Sequence, residues 1–195
     1  FNGTSLSSDW TIEKWPAGRV NNEKQVYPGT DSYSGQKLIE VKDGFLSIIA
    51  RKINNQYYSG RIYGKRNTGW KYGYVAARIR VPAGKGTWPA FWMMPVAGGS
   101  WPATGEIDIM EHVGYNPNVV HSTIHCTKYN NGGTAVESAS RNIGTATSAF
   151  HVYAMEWTPA YMKFYVDDQL LLTYNNEGTI SAWPFDKEFY VILNL

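Results

Sequence analysis

The chain has 195 residues, 43% hydrophobic and 17% charged, which excludes a disordered polypeptide and suffices for one domain with a substantial core. A net charge of +2, with no basic cluster interleaved with aromatics, argues against nucleic acid as a partner. Aromatics reach 15%, with 8 Trp and 14 Tyr, more than such a core needs, and a carbohydrate-binding surface is one outlet for the excess.

Taken in order, the chain reads as short strands punctuated by glycine and asparagine, with no apolar period of 3.6 residues held for three turns. Residues 37–41, 44–51 and 73–82 are expected strands, the last alternating Val75, Ala77, Ile79 and Val81. A turn at Pro82–Gly86 leads into 87–94, a further strand fills 105–113, and 119–128 is placed to pair with it. Cys126 is the single cysteine, so no intrachain disulfide and no cysteine metal site can form, and burial is its expected state. Residues 130–146 are polar and glycine-rich, read as a long loop and a candidate binding element. Residues 161–174 read as a hairpin turning at Asp167-Asp168, with Phe164, Val166, Leu170 and Leu172 facing inward. A last apolar strand covers 189–195. No apolar run is long enough to span a membrane, so no membrane partner is expected. Strands at this spacing predict an all-β sandwich of two antiparallel sheets, as a single domain over 1–195.

The chemistry concentrates in Gly105-Glu106-Ile107-Asp108-Ile109-Met110-Glu111-His112. On a strand Glu106 and Asp108 share one face and Ile107 and Ile109 the other, while simple alternation would turn Glu111 away. One extra residue in a β-bulge near Met110 brings Glu111 back beside the other two acids. An edge strand with solvated acids is the plain alternative. A calcium site would use the same carboxylates, but the spacing is not that of an EF-hand loop. A glycosidase pair, with one carboxylate as nucleophile, a second as acid then base and a third tuning them, fits the flanking tryptophans, whose rings can cover the apolar faces of sugars. His125 shares a strand face with His121, and the hairpin would bring it beside the acids. Zinc at His121 and His125 is disfavoured, since four steps along a strand separate them by about 13 Å.

Trp88-Pro89-Ala90-Phe91-Trp92-Met93-Met94-Pro95, Trp101-Pro102 and the acidic stretch closely resemble glycoside hydrolase family sixteen, in its laminarinase-like bacterial β-glucanases. Asn21-Asn22-Glu23, Ser59-Gly60-Arg61-Ile62, Tyr72-Gly73, Tyr153–Pro159 and Lys163–Asp167 fit the same pattern, so the likeness runs along nearly the whole chain. The resemblance implies a β-jelly roll with a concave substrate cleft. It also implies Glu106 as nucleophile, Glu111 as general acid/base and Asp108 as the organiser between them, with the Glu106 and Glu111 carboxyls roughly 5–5.5 Å apart. Substrate contacts are expected at Asn22, Arg61, Trp88, Trp92, Trp101 and His125, with Trp88 and Trp92 acting together. Relatives often carry Glu where this chain has Ala76, a position expected to tune substrate contacts.

The implied activity is a retaining endo-glycosidase cutting β-1,3 linkages in laminarin-like or mixed-linkage β-1,3-1,4-glucans, on polymer met outside the cytoplasm and hence secreted or cell-surface. A galactan hydrolase of the agarase or carrageenase type ranks second, and a non-catalytic β-glucan-binding lectin third. No catalytic cofactor is implied, though a structural calcium ion is compatible with the family. The segments at Phe1–Thr4 and Val191–Leu195 resemble places where family members carry further strands, so a second polypeptide or a later segment is expected to complete the sandwich.

Overall fold

The computed structural model describes residues 1–64, 69–130 and 137–195, and the described residues are strands, turns and loops. They form two compact units, one of Phe1–Arg66 with Ile192–Leu195, the other of Asn67–Val191.

The first unit holds β1 (Trp10–Ile12), β2 (Lys14–Trp15), β3 (Gln25–Pro28), β4 (Ser32–Tyr33), β5 (Gln36–Lys37), β6 (Ile39–Lys42), β7 (Phe45–Ile48), β8 (Arg51–Ile53), β9 (Gln56–Tyr58) and β10 (Arg61–Gly64). The hairpins β4–β5, β6–β7 and β8–β9 turn on two residues of positive φ: Ser34-Gly35, Asp43-Gly44 and Asn54-Asn55. That turn geometry matches the right-handed twist of paired strands, and Asn, Asp and Gly adopt it at least cost. Strands β3 and β9 pair in parallel, the other pairings being antiparallel. Tyr27, Leu38, Ile39, Val41 and Ile62 form the buried centre of this unit.

The second unit holds β11 (Gly73–Ile79), β12 (Ala90–Pro95), β13 (Glu106–His112), β14 (Val119–His125), β15 (Glu137–Asn142), β16 (His151–Trp157), β17 (Tyr161–Val166), β18 (Gln169–Asn175) and the start of β19 (Phe189–Asn194), whose last residues pair with β10 in the first unit. One sheet runs β19-β12-β13-β14-β15 and another β11-β16-β17-β18, with β13 lying against β16 and β15 against β18. Between them Met93, Ile107, Ile109 and Ile124 from the first sheet and Tyr153, Met155, Trp157, Met162 and Phe164 from the second are at most 1% exposed. Apolar burial of this density is the main favourable term in the fold.

Residues 137–142, read as part of a loop, form β15, whose polar side chains pair along β14, and 131–136 lie outside the described residues. Leu170, expected to face inward, is 48% exposed. Phe164 pairs with Leu172 but Tyr165 with Leu170, so Leu171 is an extra residue. The bulge puts Leu170 on the Tyr165 face, away from Phe164 and Val166.

Candidate active site

Strand β13 starts where Gly105 takes a φ of +83°, and a Cβ there would lie 2.7 Å from Cε1 of the buried Phe185. Only glycine fits both the backbone angle and the close approach. From Glu106 the strand alternates until the bulge. Against β14, Asp108 pairs with Thr123 and Glu111 with His121, so Ile109 and Met110 together face one residue. Against β12, Met110 pairs with Phe91 and Asp108 with Trp92, leaving Ile109 unpaired. Ile109 and Met110 are both 1% exposed, so the extra residue is absorbed into the core and Glu111 returns to the face of Glu106 and Asp108.

Directly opposed residues of an antiparallel pair share a face. Reading across β12, β13, β14 and β15, one row is Trp92, Asp108, Thr123 and Ser138, and the next is Ala90, Glu111, His121 and Ser140. Glu106 stands opposite His125. Thr123 Oγ1 and Ser138 Oγ are 3.2 Å apart. The structure therefore brings Trp92, Glu106, Asp108, Glu111 and His125 onto one face, and adds His121 and the Thr123–Ser138 pair. His121 entered the sequence reading only as a metal candidate, and Thr123 did not enter it. Alternation along β14 shows that 121, 123 and 125 share a face, but the register against β13 is needed to assign their partners.

Two indole N–H groups reach the acids. Trp101 Nε1 donates to Glu106 Oε2 at 2.7 Å and Trp88 Nε1 to Glu111 Oε1 at 2.9 Å. Both rings remain well exposed, so each tryptophan holds a carboxylate and still offers a ring face. Trp88 precedes β12 and is positioned by the turn before it. Gly114 N–H donates to Thr87 O at 2.9 Å and His112 N–H to Pro89 O at 3.1 Å. A Cβ on Gly114 would meet Gly84 O at 1.8 Å, so this close approach of two backbones requires glycine.

Burial shapes the electrostatics. Glu106 is pushed up to about 8, first by loss of water and then by the Asp108 charge, while His125 and the Trp101 hydrogen bond pull it down. Asp108, 3% exposed, is held well above the usual carboxylate range by burial and by the Glu111 charge, and is hydrogen-bonded to Glu106. His125 Nε2 stands 3.0 Å from Asp108 Oδ2, yet that oxygen has no aligned hydrogen bond among the described residues. Two adjoining carboxyls with raised affinity for protons share one, which leaves one ionised carboxylate and one acid donating to it. The upward shifts thus fall on Glu106 and Asp108.

Donor atoms of Glu106, Asp108 and His125 lie within 4.8 Å of one another. Calcium takes roughly six to eight oxygen ligands, so two carboxylates and an imidazole nitrogen do not fit it. Asn22 and Arg61 belong to the first unit. Asn22 is exposed with a φ of 54°. Arg61 is 5% exposed, with Nε 2.5 Å from Glu13 Oε2 and its guanidinium 4.1 Å from the centre of the Trp15 ring. Ala76 pairs with Ala154 in the β11–β16–β17–β18 sheet, not in the sheet that carries the acids.

The model of glycosyl hydrolases family 16 matches residues 10–195. The chain belongs to this family. A β-glucanase of Rhodothermus marinus is 37% identical over 208 residues, covering all of this chain and 71% of its own length. The solved laminarinase of the same organism superimposes with a TM-score of 0.89 at 38% identity, over 100% of this chain and 81% of that one. A keratan-sulfate endo-1,4-β-galactosidase of Sphingobacterium multivorum is 42% identical, over 96% of this chain and 44% of its own length. A variant of SCLam, a non-specific endo-β-1,3(4)-glucanase of the family, holds 1,3-β-D-cellobiosyl-glucose at its active site and aligns with a TM-score of 0.88 at 33% identity, over 98% of this chain and 78% of that one. As a family 16 member the chain is a glycoside hydrolase with the β-jelly-roll fold of the laminarinases, and enzymes of this family need no catalytic cofactor.

Proposed function

We propose that the protein is an endo-acting, retaining β-glucanase that cuts β-1,3 linkages in laminarin-like or mixed-linkage β-1,3-1,4-glucans. The observation that carries the reading is the bulge at Ile109-Met110, which sets Glu106, Asp108 and Glu111 on one face between two indole donors. The β-glucanase and laminarinase relatives support the choice of substrate.

In this mechanism Glu106 attacks the anomeric carbon as the carboxylate, and Glu111 gives its proton to the departing glycosidic oxygen. The covalent glycosyl-enzyme is then opened by water, whose proton returns to Glu111. Asp108 holds the shared proton towards Glu106. A donated hydrogen bond stabilises the ionised nucleophile before attack and weakens as its charge disperses into the glycosyl ester. Trp101 fixes the same carboxylate from the other side, and Trp88 fixes Glu111. The exposed rings of Trp88 and Trp101 serve as sugar platforms beside Trp92. A structural calcium ion has no part in the reaction, and the site of action is outside the cell.

A second reading, hydrolysis of a galactan, is favoured by the 42% identity to the endo-galactosidase. Reducing-sugar release from laminarin, barley mixed-linkage glucan, agarose and carrageenan separates the two. Release from laminarin and barley glucan is expected, and release from agarose or carrageenan alone overturns the proposal. Roles are tested with azide. Glu111→Ala should recover cleavage of a substrate with a good leaving group, because such a group needs no acid and azide replaces the base-activated water. Recovery in Glu106→Ala with retained configuration would reverse the assignments.

A further inference from the structure

The sheet β11–β16–β17–β18 has a core face and an outer face of different character. On the core face Tyr153, Met155, Trp157, Met162, Phe164 and Val166 are at most 3% exposed. On the outer face two cross-strand rows lie side by side, Tyr74–Glu156–Lys163 and Ala76–Ala154–Tyr165, with Tyr161 one alternation step beyond Lys163. Tyr74 is 60% exposed, and Tyr161 and Tyr165 are partly exposed.

These side chains are organised around one carboxylate. Tyr161 Oη donates to Glu156 Oε1 at 2.8 Å and Tyr165 Oη to Glu156 Oε2 at 3.3 Å. Lys163 Nζ sits 4.5 Å from the centre of the Tyr161 ring. Ala76 and Ala154 oppose each other between Tyr74 and Tyr165, so the smallest side chains of the face form its floor and the phenol rings flank it. Aromatic rings around a shallow floor, with a fixed acceptor and an ammonium donor in reach, suit a ligand that has both flat C–H faces and a rim of hydroxyls. One step beyond Ala76 the exposed Arg78 stands over the Phe150 ring, so with Lys163 and Glu156 the face carries too little net charge for an ionic partner, and it is not apolar enough for a lipid. Among the described residues Leu170 is the one large aliphatic side chain there that is strongly exposed.

We propose that this outer face is a second, non-catalytic binding site for a neutral polysaccharide, the same β-glucan the acidic site cuts, with Tyr74 and Tyr165 as platforms and Glu156 as the fixed acceptor. The choice of glucan rests on the proposed activity. A site on the sheet that does not carry the acids tethers the enzyme to insoluble polymer without occupying the cutting site.

The test measures depletion of the protein by particulate β-1,3-glucan in a Glu106→Gln background, which prevents digestion, with and without Tyr74→Ala. It is paired with turnover of a short laminari-oligosaccharide by Tyr74→Ala in the otherwise unchanged protein. Retention about tenfold weaker, the usual scale for losing an aromatic anchor, with short-substrate turnover unchanged, supports the proposal. Tyr165→Leu should act in the same direction. Retention within about twofold of the parent overturns it. So does a matching loss of short-substrate turnover, since a disturbed fold would then explain both effects. A melting temperature lowered by Tyr74→Ala with retention unchanged shows that the face packs against another protein segment, and also overturns it. The two proposals fail separately. An unmodified protein inactive on laminarin sinks the glucanase reading, while retention dependent on Tyr74 would keep the platform.

Discussion

Two faces of the second unit use similar residues for different ends. The β12–β15 face sets Glu106, Asp108 and Glu111 among Trp88, Trp101 and His125, and the outer β11–β18 face sets Glu156 among Tyr74, Tyr161 and Tyr165. Both pin a carboxylate with donors from aromatic side chains. The difference is water and like charge. Loss of water and the neighbouring Asp108 charge drive Glu106 up to about 8, and Asp108 itself is 3% exposed. Glu156 is partly exposed and is the single acid in its cluster. A pinned carboxylate becomes reactive when burial and neighbouring acids raise the cost of its charge, and remains a hydrogen-bond acceptor when they do not.

The sharpest test removes one carboxylate from each face. Glu106→Gln is expected to lower turnover on the order of a thousandfold or more, and Glu156→Gln to leave turnover of a short soluble substrate within about twofold. Comparable losses in both variants would break the distinction.

A smaller effect is expected from Asp108→Asn, which keeps the shape and removes the charge. The amide can still donate an N–H to the ionised Glu106 but cannot share a proton with it, which lowers kcat roughly tenfold. The Asp108 charge raises Glu106, and activity needs Glu106 ionised, so the acid limb of kcat/KM should move to lower pH. An unmoved limb would show that the two groups are not coupled.

Trp101→Phe should cost less, about tenfold in kcat/KM, and move the limb the other way. Its N–H lowers the Glu106 pKa, so losing it leaves the nucleophile harder to ionise. Trp88→Phe touches Glu111 and should leave that limb in place. Limbs that move alike in the two variants would mean that the rings act by packing.

The smallest effect is on stability. Glu106 binds its proton more tightly folded than unfolded, rising from 4.5 to about 8. The folded state therefore holds more protons across that interval, and this contribution is present below the lower value and lost as pH rises through the upper one. The melting temperature should fall between those limits and fall less in Glu106→Gln. A slope unchanged by the substitution would place the proton elsewhere.

Much of this was legible in the chain. Glu106-Ile107-Asp108 shows its two faces by alternation, and the spacing to Glu111 requires one extra residue if three acids are to meet, which β13 provides. The Asp167-Asp168 turn follows from residues that accept positive φ. The family pattern from Trp88 to Glu111 carried the enzyme class. Other features were not legible. The bulge at Leu171 gives no chemical sign, because a run of three leucines offers no polar residue whose placement would demand it, and plain alternation turns Leu170 inward. Strand β15 was hidden in polar residues that become a strand by pairing with β14.

The sequence by itself determined the all-β pattern, the turns and the acidic motif, because alternation and backbone preference act between near neighbours in the chain. Tertiary structure decided the rest: that His121 and Thr123 stand opposite Glu111 and Asp108, that the two indoles donate to the two glutamates, and that the raised pKa falls on Glu106 and Asp108. Register depends on which strands pair, and desolvation sums over neighbours from several strands, so neither quantity is carried by any one stretch of residues.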